Sequence, residues 1–574
     1  MPDKSGDVNN QPVSLEKRLP IALGLMMAVL LISQWLFKPA PGPKPVAPSD
    51  QNQKAAAALA KKPAETAAAP AQAAAQTENS STHIQAPAEL STVIDTKQYH
   101  IVFTNRGATI RSWVLKGYRD NTGKPLELIN PAVASIELAF AIEVKDRKLS
   151  IDPNSVLYQA KVSSDSSAVD YEFSDGKTDI RKSFRFGQDS FLANVRSVVL
   201  ENNTPVQHFL VWRGGFGDIK IRNAAVSEQT VRYDANAGKL IKKSAKDAKD
   251  GPITDSGNYT FGGLEDNFFA AVALPVDSSA LEIRTYNDAL KGANEDKTTP
   301  YVGVGISTGT ENELSLYVGP KDIDILRKVN PKLAQLVDWG FFGILAKPLF
   351  LSLNWVHDRW TNNYGWAIIL VTLIINVLLF PFKLTSLKSA RKMQKLQPQI
   401  QAINAKYKDI SIRDPRKAEQ NQEVMALYKR EGVNPLGGCL PMLLQLPFFY
   451  AFYRVLNIAI ELRHAPWLWV SDLSAAEALP IHLLPIVLVA TQFFSQKLTP
   501  AAGVDPNQQR MMMFMPIMMG FFFYYASAGL VLYWLTSNLV GIVQQLIINK
   551  FMPPPAPLPP PPPPKAPVRK TVKR

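Results

Sequence analysis

The sequence predicts a polytopic α-helical membrane protein of six spans that carries one large β-sandwich domain outside the membrane. Three observations predict it. Apolar residues are 46% of the 574, but they crowd into a front segment and into the chain beyond residue 335. Between these regions the chain has the short, partly alternating runs of strands. The basic residues are also placed so that they sort the connecting segments onto two sides of a bilayer.

The front apolar run covers Leu19 to Phe37, behind Lys17 and Arg18. Its end, Trp35-Leu36-Phe37-Lys38-Pro39, offers no small-x-small cleavage site. Residues 1–38 are therefore read as an uncleaved signal anchor rather than a removed signal peptide. Residues 39–85, rich in Pro, Ala and Gln, form a tether with no core of its own. From Gln98 the texture changes. YHIVFTNRGATIRSWVL, IELAFAIEV and ELSLYVG read as strands, and turn signals such as Asn105-Arg106-Gly107 and Arg213-Gly214-Gly215 separate many of them. Residues 86–336 are expected to form a sandwich of two large sheets, with helical material near Ile323–Leu336. Its carboxylates are scattered as on a solvated surface, which suits a scaffold or docking surface better than glycosidase chemistry.

The later spans are expected at Tyr364–Phe382, Leu436–Ile458, Ile481–Leu498, Met511–Ala526 and Leu530–Ile548, each about 16 to 23 residues long and near the length a bilayer requires. Between Lys383 and Pro435 there are twelve Lys/Arg and five Asp/Glu. The positive-inside rule puts this segment in the cytoplasm. The tail at 550–574, with Lys550, Lys565, Arg569, Lys570, Lys573, Arg574 and no acid, reads the same way. The loop holding Glu461, Arg463, Asp472 and Glu477 suits the outside. Six spans then leave both ends in the cytoplasm. A seventh span at Trp339–Val356 would put a basic segment outside, and Lys347-Pro348 interrupts its apolar surface. Residues 337–359 are therefore expected to lie along the outer interface.

Residues 384–432 are expected to fold into a cytoplasmic helical hairpin. Met393, Leu396, Ile400, Ile403 and Tyr407 mark one helix, and Val424, Leu427 and Tyr428 mark a second that begins near Pro415. The joint is at Asp409–Arg413. A net charge of +14 suits anionic lipid or RNA. A face touching phospholipid heads and a docking arm for a larger partner both fit the hairpin. One cysteine, Cys439, excludes a disulfide framework within the chain, and six scattered histidines show no metal spacing. There is no P-loop, dinucleotide fingerprint, zincin motif or nucleophile elbow. No cofactor and no covalent chemistry are expected.

Four blocks carry a resemblance: FPFKLTSLKSARKMQKLQPQI (Phe380–Ile400), NPLGGCLPMLLQLPFFYAFYRVL (Asn434–Leu456), ELRHAPWLWVSDLSA (Glu461–Ala475) and FMPIMMGFFFYYASAGLVLYWLTSNLVGIVQQ (Phe514–Gln545). Together they resemble the YidC/Oxa1/Alb3 family of membrane protein insertases over about residues 340–549. The front of the chain, with its anchor and large outer domain, resembles the Gram-negative bacterial form in layout. The resemblance implies a five-span core (360–549) enclosing a hydrated groove, open to cytoplasm and lipid and closed toward the outside. It implies a bacterial inner-membrane protein with a periplasmic β domain, which inserts and helps fold nascent membrane proteins, alone or beside the Sec translocon. The ribosome and anionic phospholipids are further expected partners, through the hairpin and tail.

By the same resemblance, an arginine is usual in the groove five residues before the proline of an aromatic-Pro pair. That pair is Phe380-Pro381 here, and the position holds Asn376. An amide binds water or a peptide group but supplies no charge. Thr372, one turn earlier, is expected on the same face. Gln445, Gln492 and Thr536 are further candidates for the groove lining. Ser537, Asn538, Gln544 and Gln545 accompany Thr536 in the last span. Buried amides need partners or water, so each of these either wets a groove or glues helices. Lys383 and Lys388 stand near the cytoplasmic mouth, with Arg391, Lys392 and Lys395 farther along. Lys383 either replaces part of the missing positive potential or snorkels to headgroups. The run Met511–Gly520 holds six methionines, whose unbranched thioethers adapt to varied partners. Substrate contacts are expected at Pro441, Met442, Phe448, Phe449, Met515, Met518 and Tyr524, against ordinary bundle packing as the plainer reading.

Three rival readings fit the sequence less well. A small-solute transporter predicts inverted repeats and midplane ligands, and neither is evident. A structural partner of another translocase leaves groove residues without purpose. A carbohydrate receptor explains the β domain but leaves the hairpin idle.

Overall fold

The computed structural model describes residues 83–135, 137–219, 224–276, 280–291, 298–407, 414, 416–433, 440–498 and 506–551. The signal anchor, the tether as far as residue 82, the hairpin joint Asp409–Arg413, Pro415, Cys439 and nearly all of the tail lie outside the described residues.

Among the described residues the β domain has three antiparallel sheets where two were expected. A four-stranded meander runs from Ser91–Asp95 to Pro125–Glu127. A ten-stranded sheet has Lys239–Lys243 and Gln159–Val162 at its edges, with Leu192–Glu201 and Glu311–Pro320 paired at its centre. A five-stranded sheet joins Ile253–Gly257, Leu281–Lys291, Thr298–Ser307, His208–Trp212 and Ala141–Val144. All three feed one core. Ile101 and Trp113 of the meander meet Phe184 and Val195 of the large sheet and Leu210 and Val304 of the third. The alternation is direct along Thr178–Phe186, where Ile180, Lys182 and Phe184 point inward and Arg181 and Arg185 point out. Lys182 is tolerated in that core because its Nζ donates to the carbonyls of Gly107 (2.7 Å), Ala108 (3.2 Å) and Phe140 (2.8 Å).

Glu228 has no such compensation. It is buried, its oxygens reach weakly toward the Phe216 and Val302 amides without a well-formed hydrogen bond, and Asp266 lies close by. Burial pushes its pKa up to about 8 from an ordinary 4.5. The folded form therefore keeps Glu228 neutral while the unfolded chain ionises it. This contribution to stability is full below pH 4.5 and is lost as pH rises toward 8. Glu228→Gln is expected to leave the thermal midpoint of the β domain unchanged near pH 4.5. At pH 8.5 it should raise the midpoint by about 10–20 °C, taking roughly 1.4 kcal/mol per pKa unit and 2–4 °C per kcal/mol. Scanning calorimetry at the two pH values checks this. Equal shifts at both would place the effect in packing instead.

The helical domain follows a short link. Asp322 caps α1 (Ile323–Val329) by accepting from the amides of Asp324 and Ile325. Leu333, Leu336 and Val337 beyond it pack with Leu326, Tyr317 and Ile458. Helix α2 (Gly343–Val356) buries Leu349, Phe350 and Leu353 on one side, while Phe341 just before it and Ile344 are 87% and 85% exposed. After a π-helical turn at His357–Thr361, α3 (Tyr364–Leu378) leaves at a bend of 116°. Asn362, in a left-handed conformation, closes that turn, and the Asn363 side chain caps α3.

The expected span Tyr364–Phe382 is broken at Leu379. Pro381 has no N–H to donate to Val377, so α3 ends and α4 (Phe380–Lys395) starts anew. The first arm of the hairpin is likewise two helices, because Pro398 restarts the chain as α5 (Gln397–Lys406) after Leu396. The return arm is α6 (Arg416–Arg430). Leu396 and Ile400 pack with Leu427, Tyr428 and Val433, with Met393, Ile403 and Val424 around them. The remaining helices are α7 (Leu440–Ile458), α8 (Leu483–Leu498), α9 (Pro506–Phe523) and α10 (Ala528–Phe551). Among the described residues α10 alone is long and apolar enough to cross a bilayer unaided; α2 and α3 together meet that test only as a bent pair.

Candidate functional site

The apolar helices bring a line of polar groups together along one face of α10. Tyr533, Ser537, Gly541 and Gln544 recur at helical spacing, so they face the same neighbours. At one end of the line, the Tyr533 hydroxyl lies beside Gln445 of α7 and Ser537. Asn376 of α3 comes next. Its Nδ2 donates to the Thr372 carbonyl at 2.9 Å and to Ser537 Oγ at 3.3 Å. The break after α3 leaves terminal carbonyls without intrahelical donors, and Gln544 Nε2 donates to that of Asn376 at 3.3 Å. The other end of the same amide accepts from Lys383 Nζ at 2.9 Å. One glutamine thus joins Asn376 to a cation. Gly541 makes room for this, since a Cβ there would lie 3.2 Å from the Lys383 ammonium.

The line continues toward the hairpin. Arg391 donates to Asn549 Oδ1 at 3.0 Å and to the Ile548 carbonyl at 3.4 Å, and Gln545 also donates to Asn549. Lys388, Lys392 and Lys395 are exposed and stand off this face. On another side of α10, Asn538 donates to Gln492 of α8 at 2.7 Å. Thr372 and Thr536 present no hydroxyl to an open groove. Each is buried and donates back to the carbonyl four residues earlier, Ile368 and Leu532.

The expected substrate contacts divide. Phe449 is packed edge-on against Trp534 at 4.7 Å and against Phe523 at 6.0 Å. Phe448 is half-buried, while Met515 and Met518 are exposed on α9, Met518 by 63%. Tyr524 stacks on His482 at 4.3 Å and accepts a hydrogen bond from it through its carbonyl. The side chains of Pro441 and Met442 lie outside the described residues, as do those of Met511 and Met512. Among the described residues, no three His, Cys, Asp or Glu side chains gather in a way that holds a metal ion.

Residues 91–352 match the family described as YidC periplasmic domain, and residues 355–555 match the 60 kDa inner membrane protein family. The chain is 34% identical over 482 residues to the membrane protein insertase YidC of Geobacter sp. (strain M21), covering 80% of this chain and 85% of that one. The chain belongs to the YidC family of membrane protein insertases. A second relative, the insertase YidC of Citrifermentans bemidjiense, is 33% identical over 564 residues, which is 93% of this chain and 99% of its own. A solved structure of an active YidC insertase with its first transmembrane domain resolved aligns at 19% identity and a TM-score of 0.34, over 81% of this chain and 93% of that one. By its family membership the chain is a multi-pass inner-membrane protein with a periplasmic β domain. It serves membrane protein biogenesis as insertase and chaperone.

Proposed function

We propose that the polar face of α10 is the wet side of a groove entered from the cytoplasm. The observation that carries this is the Gln544 side chain, which holds Asn376 and Lys383 to one site. In this reading α3, α7, α8, α9 and α10 form the five-span core, and the Leu19–Phe37 anchor makes the sixth span. Both termini are cytoplasmic, and α2 lies along the outer interface with Phe341 and Ile344 in lipid.

The physical task is to carry a short polar segment across hydrocarbon while an apolar segment enters lipid. Each unsatisfied backbone group in hydrocarbon costs several kcal/mol. Water held by Asn376, Gln445 and Gln544 shortens the dry distance. Lys383 gives the groove a fixed positive charge that attracts an acidic tail. The apolar segment leaves sideways past Phe448, Met515 and Met518, driven by about 25 cal/mol per Å² of apolar surface taken from water. Nascent membrane proteins are the substrates. The Sec translocon, the ribosome and anionic lipid are partners met through the core, the hairpin cations and the basic tail.

The test is insertion of a single-span client with a short acidic tail into proteoliposomes holding the purified chain. The unsubstituted protein is expected to insert the client well above empty liposomes. Asn376→Ala should be about fivefold slower, roughly the worth of one hydrogen-bonding group, and Asn376→Arg at least as fast as the unsubstituted chain. Equal rates in all three would make Asn376 a helix-packing residue. No insertion by any of them, across lipid compositions, would make the chain a subordinate part of a larger translocase.

A further inference from the structure

The segment between α7 and α8 closes the outer end of the helix bundle. Trp467 lies over Gly365 at the start of α3, so closely that a Cβ on that glycine would sit 2.2 Å from the indole. The carbonyls of Leu473 and Ala475 accept from the amides of Gly529 (2.9 Å) and Ala528 (2.7 Å), the opening residues of α10. Those amides have no partner within their own helix, so the segment caps α10. Glu477 accepts from Leu484 N at 2.9 Å and from Trp469 Nε1 at 2.6 Å, doing the same for α8.

This cap is gripped by the β domain. Ile460 is part of the β-domain core. Three residues later, Arg463 is buried and its Nη2 meets Asp218 Oδ2 at 2.5 Å, with both side chains at most 3% exposed. The guanidinium also lies over the rings of Phe269 and Phe268, at 5.3 and 5.9 Å. Asp218 ends the run Arg213-Gly214-Gly215-Phe216-Gly217-Asp218, and its amide donates to Asp266 Oδ2 at 3.2 Å. Asp266 in turn accepts from the amides of Phe268 and Phe269. The glycine-rich run that follows the strand His208–Trp212 thus holds Asp218 between Asp266 and Arg463. A second grip holds the end of α7, where Arg454 donates to the Asp338 carbonyl at 2.7 and 3.0 Å.

We propose that Arg463 is a positioning residue for insertion: its contact with Asp218 lets the periplasmic domain hold the 459–478 segment shut over the outer end of the core while a client moves through the groove. Buried charges lacking their partner are strongly unfavourable, so loss of either side frees the segment.

A cysteine at Leu473, which is fully buried, reports on the cap in the full-length chain with Cys439→Ser. A membrane-impermeant maleimide is added to proteoliposomes with the β domain facing outward, and the insertion rate is measured on parallel proteoliposomes of the same variants with the cytoplasmic face outward. Asp218→Asn in the β domain and Arg463→Met in the cap should each speed labelling of Leu473→Cys by more than tenfold and slow insertion at least threefold. Arg463→Lys, which keeps the charge, should stay within threefold of the unsubstituted chain in labelling and within twofold in insertion. Faster labelling in only one of the first two variants, or in neither, overturns the proposal, because the contact is then not what holds the cap. Faster labelling with unchanged insertion also overturns it, since the cap would be idle in the reaction. Equal loss in Arg463→Lys and Arg463→Met would overturn the ionic character assigned to the contact.

Discussion

Lys383→Met is expected to slow insertion of a client with an acidic tail by about 10- to 30-fold, while a client with a neutral tail slows no more than about threefold. Two unit charges about 8 Å apart at an effective dielectric near 20 interact by roughly 2 kcal/mol, which is about 30-fold in rate if it is felt at the barrier. Methionine keeps the length and apolar stem of lysine, so the difference between the two clients isolates the charge. Lys383 is half-buried and held by Gln544 rather than by an acid, so its charge remains available to a passing carboxylate. The second variant, Asn376→Arg on top of Lys383→Met, is expected to recover most of the loss, because it returns a cation to the same Gln544-linked site. Initial rates by protease protection in proteoliposomes decide the matter. Equal slowing of both clients would show Lys383 to be a packing or headgroup residue.

Much of this architecture is legible in the sequence because its signals are local. Period-two alternation marks strands such as Thr178–Phe186, and sustained apolar runs mark the helical half. The third sheet is not legible, because pairing His208–Trp212 with Ala141–Val144 joins residues far apart in the chain, and no periodicity carries a pairing partner. Pro381 and Pro398 signal the breaks at Leu379 and Leu396, but the apolar run Tyr364–Phe382 is long enough for one span and masks the first of them. At the polar site, Asn376, Gln445 and Lys383 were visible as polar residues in or beside greasy segments. That Gln544 bridges two of them depends on the rotation of α10 against α3 and α4, which only packing decides. In the sequence alone Arg463 is merely a counter-charge in an acidic loop. Its partner Asp218 lies 245 residues away, and the one local hint was the clustering of Gly214, Gly215 and Gly217 just before that aspartate.

Gly217→Ala is expected to lower the thermal midpoint of the β domain by about 10–15 °C. Gly217 has φ of +89°, where an L side chain is strained, and its Cβ would sit 2.0 Å from Asp266 Oδ2 and 2.7 Å from Cγ. Asp266 has nowhere to go. Its Oδ1 is held by the amides of Phe268 (2.7 Å) and Phe269 (2.5 Å), and its Oδ2 by that of Asp218. Backbone strain of about 1–2 kcal/mol and overpacking of about 1–3 kcal/mol together give about 4 kcal/mol. At 2–4 °C per kcal/mol, that accounts for the drop. Gly123→Ala is the control. Its φ of +82° imposes the same strain, but nothing lies within 4 Å of its Cβ, so it should cost only about 3–5 °C. Calorimetry of the two variants separates strain from collision, and midpoints within about 3 °C of each other would mean that Asp266 yields. Because Asp218 is the next residue, the collision also displaces the carboxylate that Arg463 needs. Gly217→Ala should therefore expose Leu473→Cys to labelling below the temperature at which the sheets melt, and Gly123→Ala should not.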